Sequence, residues 1–78
     1  MKEGFIKLAS NELKIIRIEH GDLQEDLARK SKVATSTISK YEVGTPNMRL
    51  SKIAQILKPY KIDLYIFFER VLAKTQEK

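Results

Sequence analysis

Apolar residues recur along the chain at three- and four-residue intervals, separated by short polar breaks, and this pattern predicts helices throughout. Phe5, Ala9, Leu13 and Ile16 form the first series. A helix carrying them starts near Phe5, or at Asn11 with Ser10 as its N-cap. It stops near His20, where Gly21 can take the left-handed C-cap conformation at little cost. Asp22 offers an N-cap to a second helix, Leu23 to Lys30, with Glu25 at the spacing of a capping box. Leu27 and Ala28 face inward. Glu25 and Asp26 open this helix and Arg29 and Lys30 close it, both placements that suit the helix dipole. After a link over Ser31 to Ala34, a third helix spans Thr35 to Glu42 and ends before Gly44. Its apolar face is thin (Ile38, Tyr41 and Ala34), whereas Thr35, Ser36, Thr37, Ser39 and Lys40 crowd the other side. Serine and threonine prefer caps and turns to helix interiors, so something other than local stability selects that polar face.

Thr45, Pro46 and Asn47 read as a turn, with Asn47 as N-cap of a fourth helix. That helix shows Leu50, Ile53, Ala54 and Leu57 in an i, i+3, i+4, i+7 series and ends at Pro59. The last segment is ambiguous. Ile62 to Phe68 is rich in β-branched and aromatic residues, which favours a strand. Leu64, Phe67, Phe68, Val71 and Leu72 nevertheless keep a helical period, Asp63 can cap them, and no strand-breaking turn follows. The preferred reading is a fifth helix over about 63–74. Residues 1–78 then form a single all-α domain of five helices.

Charge changes this picture. The net charge is +5, but it is unevenly spread. Between Arg29 and Lys61 lie eight basic residues and one acid, Glu42; the rest of the chain holds seven basic and nine acidic residues. The middle therefore carries +7 and the two ends together −2. A basic middle with nearly neutral ends suits a phosphate backbone, although a solvated basic surface would look the same.

Little else in the chain carries chemistry. Cysteine is absent, which removes disulfides, thiolate metal sites and cysteine nucleophiles and fits a cytoplasmic location. The single histidine, His20, sits at a helix end beside Gly21 and reads as a surface residue. No cluster with metal-ligand spacing, phosphate-binding glycine loop or nucleophile motif is present. No enzymatic activity and no cofactor are expected. Met1 to Ser10 lacks the layout of a signal peptide, no apolar run approaches the ~20 residues that span a bilayer, and no membrane partner is expected.

The run GDLQEDLARKSKVATSTISKYEVG, from Gly21 to Gly44, closely resembles the phage-repressor and Cro type of helix-turn-helix and aligns with it without a gap. Gln24, Leu27, Ala28, Val33, Thr37, Ile38, Ser39, Glu42 and Gly44 carry the match, which extends back through LKIIRIEHG and on through NMRLSKIAQIL. The resemblance implies a lambda-repressor-like fold with its helix-turn-helix at about 22–42. It implies a transcriptional regulator that binds double-stranded DNA as a homodimer on a palindromic operator, with RNA polymerase as a further partner. Thr35, Ser36, Ser39 and Lys40 would face base edges, with Lys40 suited to the guanine O6 and N7 acceptors. Gln24, Thr37, Thr45, Asn47 and Arg49 would bind phosphates. An ion pair between Arg17 and Glu42 is also implied, and it would explain the lone acid in the basic middle.

The sequence departs from the family pattern at three places. Lys32 stands where the turn usually has glycine or asparagine, Ala34 replaces the usual N-cap of the recognition helix, and Leu23 stands where a serine or threonine cap is common. The C-terminal segment, with its Phe-Phe-Glu and basic tail, resembles the controller proteins of restriction–modification systems. That likeness implies control of a restriction–modification operon and a dimer interface built from Ile66, Phe67, Phe68, Val71 and Leu72. A C2 interface needs such an apolar excess, although ordinary internal core would also account for this face. The alternative function is an interaction module of the antitoxin type that also binds DNA. The strand reading of 62–68 favours it, because a C-terminal strand could pair across a dimer.

Overall fold

A computed structural model describes residues 2–75, with side chains from residue 4 onward. Five α-helices run in order: α1 Lys2–Glu19, α2 Gln24–Ser31, α3 Thr35–Val43, α4 Leu50–Leu57 and α5 Leu64–Thr75, with a 3₁₀ turn at Lys58–Tyr60 between the last two. The first helix starts at Lys2, earlier than either start read from its apolar series. It ends as expected, with Gly21 at φ +72°. No strand forms among the described residues, so Ile62 to Phe68 does not supply the strand that favoured the antitoxin-type alternative. The tail beyond Thr75 lies outside the described residues.

Two caps differ from expectation. The N-cap of α2 is Leu23, one residue beyond Asp22. Leucine has no acceptor, so only the reverse half of a capping box forms: the Leu23 N–H donates to the Asp26 carboxylate at 2.8 Å. Asp22 is engaged elsewhere, accepting from Lys30 Nζ at 2.9 and 3.0 Å and from the Tyr60 hydroxyl at 2.8 Å. The N-cap of α4 is Arg49 and not Asn47. Asn47 instead closes a local turn by donating its N–H to Thr45 Oγ1 at 3.3 Å. At α5 the expected cap is present, with Asp63 Oδ1 accepting the Ile66 N–H at 2.9 Å. Two lysines sit in the left-handed region, Lys32 at φ +62° and Lys61 at φ +58°. That backbone costs a non-glycine residue on the order of 1 kcal/mol.

One core joins all five helices. Ala9, Leu13 and Ile16 of α1 meet Ile38 and Tyr41 of α3 and Phe67 and Val71 of α5, while Leu27 of α2 and Ile53, Ile56 and Leu57 of α4 complete it. Leu50 opens the apolar series of α4 but stays exposed, and Ile56 takes its place inside. The core settles the question left by α5. Phe67 and Val71 are both fully buried within the chain, so neither is available to a dimer interface. Phe68 is half-buried, with its ring 6.0 Å from Phe5. Of the residues assigned to the interface, Ile66 and Leu72 remain exposed, joined by Tyr65, which the sequence reading did not single out. The physical reason is that α1 and α4 together cover the Phe67–Val71 stripe. An 18-residue α1 is long enough to reach α5.

A second, ionic seam joins α1 to α5. Glu12, buried among the apolar residues of α1, accepts from Arg70 Nε at 2.6 Å and Lys74 Nζ at 2.9 Å. Arg70 also reaches Glu19 at 3.0 Å. Burial alone would push the Glu12 carboxyl up, but the hydrogen bonds and charges of Lys74 and Arg70 outweigh it and hold the group below its ordinary value. The signal in the sequence was a charged residue inside the apolar series Ala9, Leu13, Ile16.

Candidate nucleic-acid interface

Helix α3 is amphipathic in an unusual sense: its inner face is held by one ionic cluster and its outer face is left to hydroxyls and one lysine. Ile38 and Tyr41 face the core together with Glu42, which is nearly as buried as Tyr41. Arg17, from the last turn of α1, donates to Glu42 through Nε at 2.7 Å and Nη2 at 3.0 Å, a bidentate pair. Its remaining nitrogen, Nη1, donates to the Asp22 carbonyl at 2.7 Å. Gln24 Nε2 donates to the same Glu42 oxygen that Nη2 uses, at 3.0 Å. One carboxylate thus ties the end of α1, the start of α2 and the end of α3. The bond to Glu42 raises the Arg17 pKa further above its ordinary value, against the opposing effect of burial.

The outer face of α3 is then directed away from the core. Thr35, Ser36 and Lys40 are exposed, and Thr37 and Ser39 are half-buried. Gln24, expected at a phosphate, is the first residue of α2, and its amide is partly committed to Glu42. An amide nitrogen has two hydrogens, so one remains for an outside acceptor. On the other side, the Tyr41 hydroxyl accepts the Arg49 N–H at 3.1 Å and so fixes the start of α4 against α3. Helix α4 has no side-chain cap, and its first free N–H groups and the exposed Arg49 side chain share that end. Thr45 is half-buried and Asn47 exposed in the connecting turn. Tyr41 was missed as a positioning residue because its period marks it only as core.

A second polar cluster braces the helix-turn-helix from behind. Asp22 is held below its ordinary pKa by the Lys30 and Tyr60 hydrogen bonds. Burial and the same Asp22 contact push the Tyr60 phenol up. The His20 ring stacks on Tyr60 at 4.1 Å and donates from Nδ1 to the Ile16 carbonyl at 2.8 Å. Gln55 of α4 donates to the Ser31 carbonyl at 3.1 Å, which anchors the turn between α2 and α3. None of these long-range pairs had a signal in the sequence.

Charge follows the same division. The acids Glu12 and Glu19 of α1 are taken up by Arg70 and Lys74 of α5. In the basic middle, Arg29 and Lys30 have carboxylate partners in Asp26 and Asp22. Lys32, Lys40, Arg49, Lys52, Lys58 and Lys61 have none among the described residues, apart from weaker polar contacts. Among the described residues, six of the eight basic side chains of the middle are therefore left without a carboxylate partner and available to an external anion. Among the described residues no three His, Cys, Asp or Glu side chains group to hold a metal ion, and no helix is long and apolar enough to cross a membrane.

Comparison with known proteins agrees with this geometry. Residues 13–67 match the helix-turn-helix family of the Cro/C1 type. No curated protein matches the chain. Among solved structures, the wild-type restriction–modification controller protein C.Esp1396I is 30% identical and superposes with a TM-score of 0.84, over 95% of this chain and 96% of that one. The tetramer of the same protein in complex with its natural 35-base-pair operator gives 31% identity and a TM-score of 0.81, over 90% and 92% of the two chains. A chain that holds a hydroxyl-lined helix outward by the Arg17–Glu42–Gln24 cluster, and that matches these proteins over nearly its whole length, belongs to the Cro/C1-type helix-turn-helix family of DNA-binding transcription regulators and within it is similar to the restriction–modification controller proteins.

Proposed function

We propose that this protein is a sequence-specific regulator that binds a two-fold-related operator as a homodimer and controls a restriction–modification operon. The observation that carries the proposal is the outward face of α3, held by the Arg17–Glu42–Gln24 cluster and flanked by the starts of α2 and α4. Thr35, Ser36, Ser39 and Lys40 read base edges in the major groove, with Lys40 donating to guanine O6 and N7. Thr37, Gln24 at the start of α2, Arg49 at the start of α4, and Thr45 and Asn47 in the turn before it hold the sugar-phosphate backbone on either side. These contacts fix register, and the α3 contacts fix sequence.

Dimerisation uses the outer face of α5. Tyr65, Ile66 and Leu72 are 73%, 42% and 51% exposed, and the partly covered Phe68 and Phe5 continue the surface. Two such faces related by a two-fold axis bury one another's apolar area and place two α3 helices about one turn of DNA apart. That C.Esp1396I is a tetramer on its operator supports DNA as the ligand and self-association as part of the mechanism. Occupancy of a promoter-borne operator then controls RNA polymerase by steric exclusion or by direct contact.

The test is selection of binding sites from random duplex DNA, followed by affinity measurement at two salt concentrations. The proposal expects a two-fold-related motif and a steep fall in affinity with salt. Recovery of no motif, with only weak salt-sensitive binding, would refute it.

A further inference from the structure

The outer face of α3 contains one residue that polar recognition leaves unused. Ser36, Ser39, Lys40 and Val43 stand at i, i+3, i+4 and i+7, so they form one stripe along the helix. Seven residues return a helix to within about 20° of the same direction, which puts Val43 directly in line with Ser36. Val43 is 75% exposed, more than any other large apolar side chain among the described residues. It borders a shallow cleft shared with Ile6, Gly44 and Pro46, but that contact leaves most of the side chain uncovered. Single exposed apolar residues are common and need no explanation by themselves. This one lies on the stripe that the ionic cluster turns outward, next to Lys40, on a face otherwise made of hydroxyls.

We infer that Val43 is a specificity-determining residue whose methyl groups pack on the C5-methyl of a thymine in each operator half-site. The inference rests on the proposed reading of α3 as the base-reading helix. Thymine presents the one apolar group in the major groove, and an aliphatic side chain that cannot hydrogen-bond is suited to it and to no other base edge. The rise from Ser36 to Val43 is about 10.5 Å, so the two residues face different base pairs. The thymine should therefore lie apart from the pair whose identity depends on Ser36, at the opposite end of the segment read by α3.

The experiment uses the full chain and the operator recovered by selection. Each thymine is replaced in turn by deoxyuridine, which keeps the Watson–Crick pair and the O4 acceptor and removes only the methyl group. Wild-type protein should bind about fourfold more weakly per half-site at one position, the effect of one lost methyl contact. V43A should bind the thymine and deoxyuridine operators equally, while S36A should keep the deoxyuridine effect. Helical content of V43A is checked by circular dichroism. A wild-type protein indifferent to every deoxyuridine, or a V43A variant that still distinguishes the two bases, would overturn the role of Val43 while leaving the regulator itself intact. Uniform weakening by V43A on all sequences would also overturn it and would place the residue against the backbone or a protein. Failure to recover any operator would overturn both the regulator and this role.

Discussion

Arg17 and Glu42 lie 25 residues apart in the chain and meet in a bidentate pair with both side chains almost wholly buried, at 10% and 4% exposure. Glu42 is the lone acid of the basic middle, and its charge is spent on Arg17 and Gln24 and not presented to the outside. Because a buried charge left without its partner is costly, R17A and E42A should each destabilise the protein by about 3 kcal/mol. The double variant should lose much less than the sum, a coupling that urea denaturation of the four proteins would measure. Additive losses would mean that the two side chains act independently.

The α1–α5 seam gives the protein an acid-sensitive contribution to stability. Glu12 has its folded-state pKa below the ordinary 4.5. The stability it supplies is fully present above that ordinary value and is lost as pH falls through the lower, folded value. E12Q should therefore be less stable than wild type at neutral pH and should lose less further stability on acidification. The expected loss at pH 7 is roughly 2 kcal/mol, below the full penalty of a buried pair because Arg70 and Lys74 stay about one third exposed. Thermal melts from pH 7 to pH 3 test this, and parallel curves for the two proteins would contradict it.

Neighbouring residues of α5 should behave in opposite ways. F67S removes a fully buried aromatic ring and should unfold the chain or cost at least about 3 kcal/mol. Exposed Ile66 and Leu72 can be changed with little effect on the monomer fold. I66S/L72S should keep its helical content yet sediment as a monomer and bind operator more weakly. A variant that remains dimeric would move the interface elsewhere.

Base-reading and backbone contacts should separate on mutation. K40A should lose roughly 1–3 kcal/mol on operators carrying the preferred base pair and less on others, relaxing preference at one position. R49A should weaken all sequences alike and lower the salt slope by about one. Affinity measured on a panel of single-base operator variants at several salt concentrations distinguishes the two patterns, and a uniform loss for K40A would remove it from base reading.

Replacing Lys32 by glycine should stabilise the fold by a few tenths to about 1 kcal/mol, because the residue sits at φ +62° with no compensating contact from its ammonium group. A stabilised K32G in urea titration supports the strain; an unchanged or destabilised variant shows that the lysine side chain contributes at that turn.

Local chemistry in the sequence determined the five helices and several of their ends. Apolar periods marked the buried faces of α1 and α4, Gly21 and Asp63 marked ends that the structure keeps, and the mismatch of serines and threonines in α3 marked a helix chosen for its outer face. These features are legible because they depend on residues within one or two turns of each other. The tertiary structure decided what depends on distant partners. Asp22 looked like a cap, but Lys30 and Tyr60, the latter 38 residues away, hold its carboxylate more favourably. Phe67, Phe68, Val71 and Leu72 share one helical period, yet only the reach of α1 and α4 fixes that Phe67 and Val71 go inside while Leu72 stays out. A period gives the direction of a side chain and not the width of the neighbour that covers it, and that width is set by packing across the whole fold.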